Sequence, residues 1–186
     1  MISILLVYRT TTGFTKKYVD WISKAIDCQT VPFDQINNVD FNNYDIIIYG
    51  AGMHAGLIQG LKEFKKKVGN LVSKKIVIFA TGGAPYSEAI ISKIKKDNFL
   101  ENELNIINFF YFQSGINYEK MGLFDKTIMK TYNKVLEFKN NKSDIEDGTS
   151  KAISKSYDHS SSEYIKPMID YLHQLLNKPS ADKIKI

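Results

Sequence analysis

Short apolar runs, separated by polar and glycine-containing segments, constrain the fold of this chain more than any other feature of its sequence. Four of them, at residues 2–8, 44–50, 75–80 and 104–112, are rich in β-branched and aromatic residues. Their apolar residues do not alternate with polar ones, which is typical of strands that are buried on both faces. We therefore predict four buried strands and a shorter fifth strand at residues 29–33.

Amphipathic segments lie between these strands. Apolar residues recur at helical spacing in residues 15–26 and 61–71, and residues 87–96 form a third predicted helix. The link between the second and third strands is short for a crossover, so we expect its helix to be reduced or missing. Strands that alternate with helices predict an α/β fold, with a parallel sheet covered by helices on both faces.

The pattern changes after residue 112. Residues 121–138 are predicted to form a helix with an apolar stripe, which consists of Leu123, Phe124, Ile128, Val135 and Phe138. Residues 139–162 are polar and predict a mobile loop. A final amphipathic helix is predicted at residues 165–176, where Pro167 is tolerated in the first turn. We expect one domain over residues 1–186, with an insertion at about 116–162.

Cysteine and histidine usage limits the chemistry of the chain. Cys28 is the only cysteine and cannot form an internal disulfide, and the N-terminus lacks a charged leader, so we expect a cytoplasmic protein. The three histidines and one cysteine have no metal-ligand spacing, and no metal site is predicted. No apolar run approaches the roughly 18 residues of a membrane-spanning helix.

The formal net charge of +5 permits an anionic partner. Arg9 is, however, the only arginine among the 25 basic residues. Because guanidinium groups provide bidentate recognition of bases, we do not expect sequence-specific binding of nucleic acid. A coding bias toward lysine explains the charge equally well, and this alternative stays open.

The segment between the first strand and the first helix carries the strongest chemical signal. It contains four threonines and one glycine, namely Thr10, Thr11, Thr12, Thr15 and Gly13. Hydroxyls and free N–H groups at a helix N-terminus form an anion site without formal positive charge. Lysines follow at positions 16 and 17, where the helix dipole disfavours cations, and a bound phosphate would relieve that conflict. The alternative is an ordinary loop with a threonine N-cap.

Residues 10–15, with the sequence TTTGFT, resemble the phosphate loop of the flavodoxins, and the resemblance implies that these residues, Phe14 among them, bind the flavin phosphate. The resemblance implies a flavodoxin-like three-layer sandwich, with a five-stranded parallel sheet of order 2-1-3-4-5 and FMN between strands 1 and 3. In such a fold glycines are expected after strands 1, 3 and 4. The sequence has them, at Gly13, at Gly50, Gly52 and Gly56, and at Gly82 and Gly83.

Within this family the chain is most similar to the flavodoxin-domain proteins that include the menaquinone-linked protoporphyrinogen oxidase of bacteria. The similarity lies in residues 50–56 (GAGMHAG), 81–85 (TGGAP) and 113–118 (QSGINY), and in the long insertion before the last helix. The sequence departs from that oxidase at His54, where the oxidase has an arginine.

The resemblance implies a set of cofactor contacts beyond the phosphate loop. Gly52, Met53, His54 and Ala55 would lie beside the isoalloxazine, and His54 is the one candidate for a catalytic proton donor. Thr81, Gly82, Gly83 and Ala84 would present backbone donors to the pyrimidine edge, Tyr86 would stack on the ring, and Gln113, Ser114 and Gly115 would form the pocket wall. The alternatives are a plain glycine turn, a surface histidine without a role, and a tyrosine that covers the next helix.

The function implied by the resemblance is that of an FMN-dependent oxidoreductase. The oxidase branch would oxidise protoporphyrinogen, a tetrapyrrole, and reduce a quinone, in peripheral contact with the inner face of the membrane. A lysine-rich chain fits anionic lipid or a carboxylate-bearing substrate, whereas flavodoxin shuttles are acidic. The alternatives are a non-catalytic electron shuttle that serves a redox protein and a scaffold that has lost its cofactor; the insertion favours an enzyme.

Overall fold

A computed structural model describes residues 2–69, 74–138 and 155–177 of the chain. Its elements follow in the order β1 (Ile4–Arg9), α1 (Phe14–Ala25), β2 (Gln29–Pro32), β3 (Ile46–His54), β4 (Leu57–Ile58), α2 (Leu61–Val68), β5 (Lys75–Gly82), α3 (Glu88–Asn98), α4 (Glu101–Leu104), β6 (Ile107–Gln113), β7 (Gly115–Ile116), α5 (Leu123–Phe138), β8 (Tyr157–Asp158) and α6 (Lys166–Asn177). The parallel sheet and its helices confirm the predicted α/β class.

Five parallel strands form the central sheet in the order β2-β1-β3-β5-β6. Counted along these five strands, this is the predicted order 2-1-3-4-5. The register pairs Arg9 with Ala51 and Gly52 with Thr81. Because the strands are parallel, the segments that follow β1, β3 and β5 meet at one edge of the sheet.

Helices cover both faces of this sheet, as the apolar runs predict. On one face, α1 and α6 bury Tyr18, Ile22, Met168 and Leu172 against strand residues that include Leu6. On the other face, α2 and α3 pack against the alternate strand residues, and the buried residues there include Leu5, Val7, Phe64, Ile91 and Ile94. Leu5 and Leu6 therefore belong to opposite cores, since successive strand side chains point to opposite faces.

The link between β2 and β3 contains two short 3₁₀ helices, Phe33–Asn38 and Phe41–Asn43. No α-helix crosses over there within the described residues, which agrees with the expectation from its length. Asp40 caps the second of these turns, because its carboxylate accepts a hydrogen bond from Asn42 N at 3.0 Å.

β3 is longer than predicted, and this corrects the assignment of its glycines. Gly50 is fully inside the strand, and a Cβ added there would lie only 2.0 Å from the ring of Phe79. Its role is therefore close packing of the core and not a turn. The strand continues to His54 and returns as β4 through Ala55 and Gly56, which have φ values of 49° and 84°. Positive φ at both central residues is the geometry of a type I′ hairpin turn.

Other boundaries also differ from the sequence prediction. Leu104 ends the short helix α4 and does not begin a strand. The predicted helix forms as α5, and three residues of its apolar stripe, Leu123, Val135 and Phe138, are 84%, 61% and 82% exposed, while the side chains of Phe124 and Ile128 lie outside the described part of the chain. Part of the predicted loop forms β8, which pairs antiparallel with β7. The rest of that loop, residues 139–154, lies outside the described residues. The second helix was predicted to continue to residue 71, but it ends at Val68, with Gly69 as its C-cap at a φ of 73°.

Candidate functional site

The ends of β1, β3 and β5 converge on a pair of buried threonine hydroxyls. Thr15 in the first turn of α1 and Thr81 near the end of β5 place their Oγ1 atoms 2.9 Å apart. Both residues are almost fully buried. Gly52 of β3 lies against the pair, since a Cβ there would be 3.7 Å and 3.8 Å from the two oxygens. The structure thus brings together residues from all three predicted glycine-bearing segments.

The loop between β1 and α1 is ordered by its own hydroxyls. Gly13 N donates to Thr10 Oγ1 at 3.2 Å, and Thr11 Oγ1 donates to the Gln59 side chain at 3.2 Å. Gly13 itself, with φ of 93°, is the N-cap of α1, so the alternative of a threonine N-cap is wrong. A glycine has no side chain that could accept from the first N–H groups of the helix. Among the residues that the structure describes, these N–H groups have no acceptor, so they can bind an external one.

Carboxylates already balance the two lysines in the first turn of α1. Lys16 forms an ion pair with Asp20 one turn later in the helix, and Lys17 Nζ lies 2.8 Å from Asp158 Oδ2. A bound phosphate was expected to relieve the conflict between these cations and the helix dipole, but the two ion pairs already relieve part of it within the protein.

The segment after β5 presents its N–H groups and not its carbonyls. Three successive carbonyl oxygens accept from the protein: Gly82 O from Ser114 N at 2.7 Å, Gly83 O from Tyr157 OH at 3.1 Å, and Ala84 O from Tyr111 OH at 2.7 Å. Within residues 2–69, 74–138 and 155–177, the N–H groups of Gly83 and Ala84 have no acceptor. They form a small set of donors at the edge of the sheet.

Burial raises the pKa of the tyrosines around this segment. It raises the pKa of Tyr18 to about 12, and it also raises the pKa of Tyr111 and Tyr157 above the ordinary value. A tyrosine is protonated at neutral pH even with its ordinary pKa, so all three phenols can donate there, and the rise extends this to more alkaline pH. The Tyr18 hydroxyl donates a hydrogen bond to the Gln113 carbonyl and accepts one from Ser161 N at 3.3 Å.

Gln113, Ser114 and Gly115, the predicted pocket wall, are held by a segment of the chain that returns from the insertion. Ser114 is buried, and its carbonyl accepts from His159 N at 3.0 Å. Gly115 pairs with Asp158, and a Cβ on Gly115 would lie 1.9 Å from the Tyr157 carbonyl oxygen. Only a glycine permits this approach, so Gly115 has a structural role in joining β7 to β8.

The residues after Gly52 form a hairpin. Met53 packs against the core, and exposed His54 pairs with Leu57 in the strand register. The tip is tied to the end of α3, because Asn98 Nδ2 donates to Gly56 O at 2.9 Å and Asn98 Oδ1 accepts from Ile58 N at 2.8 Å. The structure thus places Gly52 beside the threonine pair but directs the tip around Ala55 toward α3.

Tyr86 and Thr12 have few protein contacts. Tyr86 is 61% exposed, and its hydroxyl donates to Glu88 in the first turn of α3 at 3.1 Å. The ring of Tyr86 is therefore not buried against the following helix. Thr12 is half-buried in the loop before α1 and has no hydrogen-bond partner among the described residues. Both residues keep exposed surface at the edge where the three segments meet.

Gln59 and Tyr157 belong to this site but were not predicted from the sequence. Gln59 is hydrogen-bonded to Thr11, and its N–H donates to Gly52 O at 3.1 Å. The one sequence feature that could have indicated Gln59 is its polar side chain in the run Leu57-Ile58-Gln59-Gly60. Tyr157 lies in a polar stretch that predicted a loop, and no local signal distinguished it.

The described part of the chain lacks two further kinds of feature. It contains no group of three or more His, Cys, Asp or Glu residues that could hold a metal ion. It also contains no helix with the length and apolar character needed to cross a membrane.

A family model described as the flavodoxin domain matches residues 5–143. Among solved structures, the chain is similar to a flavodoxin from the Archaea, with 14% identity over 60% of this chain and 85% of that one and a TM-score of 0.38. It is also similar to a flavoprotein from Lactobacillus acidophilus in complex with FMN, with 18% identity, coverage of 61% and 93%, and a TM-score of 0.40.

Oxidised flavodoxin 2 from Bacillus cereus is a third similar structure, with 17% identity over 59% of this chain and 84% of that one and a TM-score of 0.39. No curated protein gives a significant match to the sequence.

Proposed function

The chain belongs to the flavodoxin domain family, and from that premise we propose that it binds FMN and acts as an FMN-dependent oxidoreductase. The observation that carries this proposal is the convergence of three segments on the buried Thr15–Thr81 pair, at the edge where an open α/β sheet binds its ligand. Each segment offers neutral donors or a glycine, which suits a ligand with a phosphate and a flat ring.

The loop before α1 fits the phosphate end of FMN. The first N–H groups of α1 follow a glycine N-cap, and Thr10 and Thr12 supply hydroxyls beside them. Thr11 is held by Gln59 and fixes the loop in place. Such a site binds an anion through fixed dipoles, and the helix dipole adds to the attraction.

The segments after β3 and β5 fit the ring. Gly52 presents bare backbone beside the threonine pair, so a flat ring can approach it closely. The N–H groups of Gly83 and Ala84 would donate to the acceptor atoms of the pyrimidine edge, and Tyr86 has enough exposed surface to stack on the ring. Gln113, Ser114 and Gly115 would close the far wall.

FMN supplies the hydride and one-electron chemistry when it is bound, and the protein supplies position and electrostatics. In this arrangement the backbone at Gly52 and Met53 would bind near the reactive edge of the ring. His54, which is exposed at the end of β3, would donate a proton to the substrate or accept one from it. The buried tyrosines stay neutral donors and keep the surrounding carbonyls engaged.

The narrower proposal is that the substrate is protoporphyrinogen and the acceptor a quinone at the inner face of the membrane. It rests on the likeness of residues 50–56, 81–85 and 113–118 to that oxidase and on the insertion. Helix α5, inside the insertion, exposes Leu123, Val135 and Phe138 beside lysines of the same helix. A basic helix with exposed apolar residues suits the surface of an anionic membrane.

The first test is cofactor binding. Titration of the purified chain into FMN should quench the flavin fluorescence at a one-to-one end point, and Thr10→Val should weaken binding because it removes a phosphate-loop hydroxyl. Thr127→Val is the matched control, since Thr127 Oγ1 donates to Leu123 O on the outside of α5. Failure of the wild-type chain to take up FMN would overturn the proposed function.

The second test separates an enzyme from an electron shuttle. Protoporphyrinogen and a menaquinone analogue are incubated with the FMN-loaded chain under anaerobic conditions, and the fluorescence of protoporphyrin is followed. We expect turnover above that of free FMN, and a loss of turnover in His54→Ala with FMN binding retained. If the loaded chain only exchanges electrons with a second redox protein, the narrower proposal is wrong and the FMN assignment stands.

A further inference from the structure

The ammonium group of Lys120 lies over the start of α1. Lys120 Nζ would be 3.7 Å from a Cβ placed on Gly13, and among the described residues no other heavy atom outside the neighbours of Gly13 and the helix backbone comes within 4 Å of that point. Gly13 is the N-cap of α1 and directly precedes the first N–H groups of the helix, which have no acceptor among the described residues. A cation from the insertion therefore stands beside the loop proposed to bind the FMN phosphate.

The charges around this helix end are not equivalent. Lys16 and Lys17 are each paired with a carboxylate, from Asp20 and Asp158 respectively. Lys120 forms no ion pair with any described residue. An unpaired cation at a helix N-terminus is unfavourable by itself, because it meets the positive end of the dipole. An anion bound between the Lys120 ammonium and the N-terminus of α1 would be attracted by both, and it would remove their mutual repulsion.

The backbone that carries Lys120 is fixed. Lys120 N donates to Asn117 Oδ1 at 3.0 Å, and Tyr118 N donates to Ser156 Oγ at 2.9 Å. Ser156 Oγ in turn donates to Glu119 at 2.6 Å. The turn that follows β7 is thus tied to the segment that precedes β8, and the reach of Lys120 toward Gly13 starts from a defined position.

We propose that Lys120 is a phosphate-binding residue that increases the preference of the site for FMN over riboflavin. This inference rests on the proposed function and adds to it a residue outside the threonine loop. The phosphate monoester carries about 1.5 to 2 negative charges at pH 7, and riboflavin carries none at that position. Only the phosphorylated flavin would gain from the ammonium group.

The test compares the dissociation constants of FMN and riboflavin for the wild-type chain, Lys120→Met and Lys120→Arg. We expect Lys120→Met to weaken FMN binding roughly fivefold, the size of an exposed ion pair, and to leave riboflavin binding unchanged. Lys120→Arg should keep most of the preference. Lys130→Met, on the outside of α5, is the matched control and should change neither constant.

Riboflavin binding also reports whether each variant is folded, so the outcomes are separable. Unchanged FMN affinity in Lys120→Met would overturn the inference, and so would an equal loss for both flavins, because that would indicate a structural role. A wild-type chain that binds neither flavin would overturn the proposed function itself. Raising the salt concentration should reduce the preference for FMN more in the wild-type chain than in Lys120→Met.

Discussion

At the scale of single residues, the site depends on polar groups that are buried but satisfied. The Thr15 and Thr81 hydroxyls are shielded from water and bond to each other across the helix and the sheet. Gly52 lies within contact distance of both. A buried polar atom that loses its hydrogen-bond partner destabilises the fold by its full desolvation free energy. The same hydrogen bond therefore stabilises the fold and fixes the positions of two residues at the site.

We expect Thr15→Val to destabilise the chain by about 1–3 kcal/mol, because it leaves the Thr81 hydroxyl buried without its partner. The shapes of the two side chains are close, so the change acts mainly on the hydrogen bond. The free energy of unfolding, measured with urea in the absence of FMN, checks this.

One control variant and one double variant test this explanation. Thr12→Val alters a half-buried threonine without a hydrogen-bond partner among the described residues and should change the unfolding free energy by less than about 0.5 kcal/mol. The double variant Thr15→Val/Thr81→Val should lose less than the sum of the two single variants. A strictly additive loss would show that the two hydroxyls are not coupled.

At the scale of elements, the short β7–β8 pair connects the insertion to the site. Its strands bring Tyr157 to the carbonyl of Gly83 and Asp158 to Lys17 of α1. Ser161 then bonds to Tyr18. A segment without a hydrophobic pattern of its own is therefore held by side-chain and backbone hydrogen bonds to α1, to β6 and to the residues after β5.

The ion pair of this segment should make its stability depend on pH. Burial opposes ionisation of Asp158, but hydrogen bonds from Lys17 and Ser160 outweigh it and hold its pKa below the usual 3.8. The folded state thus gains stability above pH 3.8, and that gain disappears as the pH falls through the lower folded pKa. We expect Asp158→Asn to cost roughly 0.5 kcal/mol at pH 7, since the pair is half exposed.

Urea unfolding at pH 7 and at pH 3 measures this difference, which should shrink toward zero at the lower pH. Asp170→Asn is the control, because it removes a carboxylate that pairs with Lys166 inside α6 only. An Asp158→Asn penalty that is the same at both pH values would contradict the electrostatic explanation.

At the scale of the whole molecule, the last helix completes the three layers. The family match ends at residue 143, whereas α6 spans Lys166–Asn177. Met168 and Leu172 of this helix are fully buried in the core shared with α1 and the sheet. The chain after the insertion is therefore part of the fold that holds the site.

Leu172→Ala should destabilise the whole fold by about 2–5 kcal/mol, because it leaves a cavity in the core beneath α6. We expect unfolding to stay a single transition when it is followed by far-ultraviolet circular dichroism and by Trp21 fluorescence. Gln174→Ala, on the exposed side of the same helix, should have almost no effect. A local loss of helix without a change in the main transition would show that α6 is not part of the cooperative unit.

The order of the sheet was implied only by the resemblance to the flavodoxins. The sequence by itself determined the α/β class and the location of the phosphate-loop candidate. These depend on short-range patterns, such as the uninterrupted apolar run in β1 and the threonines around Gly13. Such patterns can be read locally. A strand that is buried on both faces needs consecutive apolar residues, and a helix that begins at a left-handed residue favours a glycine there.

Tertiary structure alone decided which glycines pack and which turn, and which distant residues complete the site. Gly50 is a core residue because Phe79 of the adjacent strand covers it, and Lys120 reaches Gly13 across more than a hundred residues of chain. Tyr157 and Gln59 join the site in the same way. Such contacts depend on sheet register and on the return path of the insertion, and no local pattern of apolar and polar residues encodes either of them.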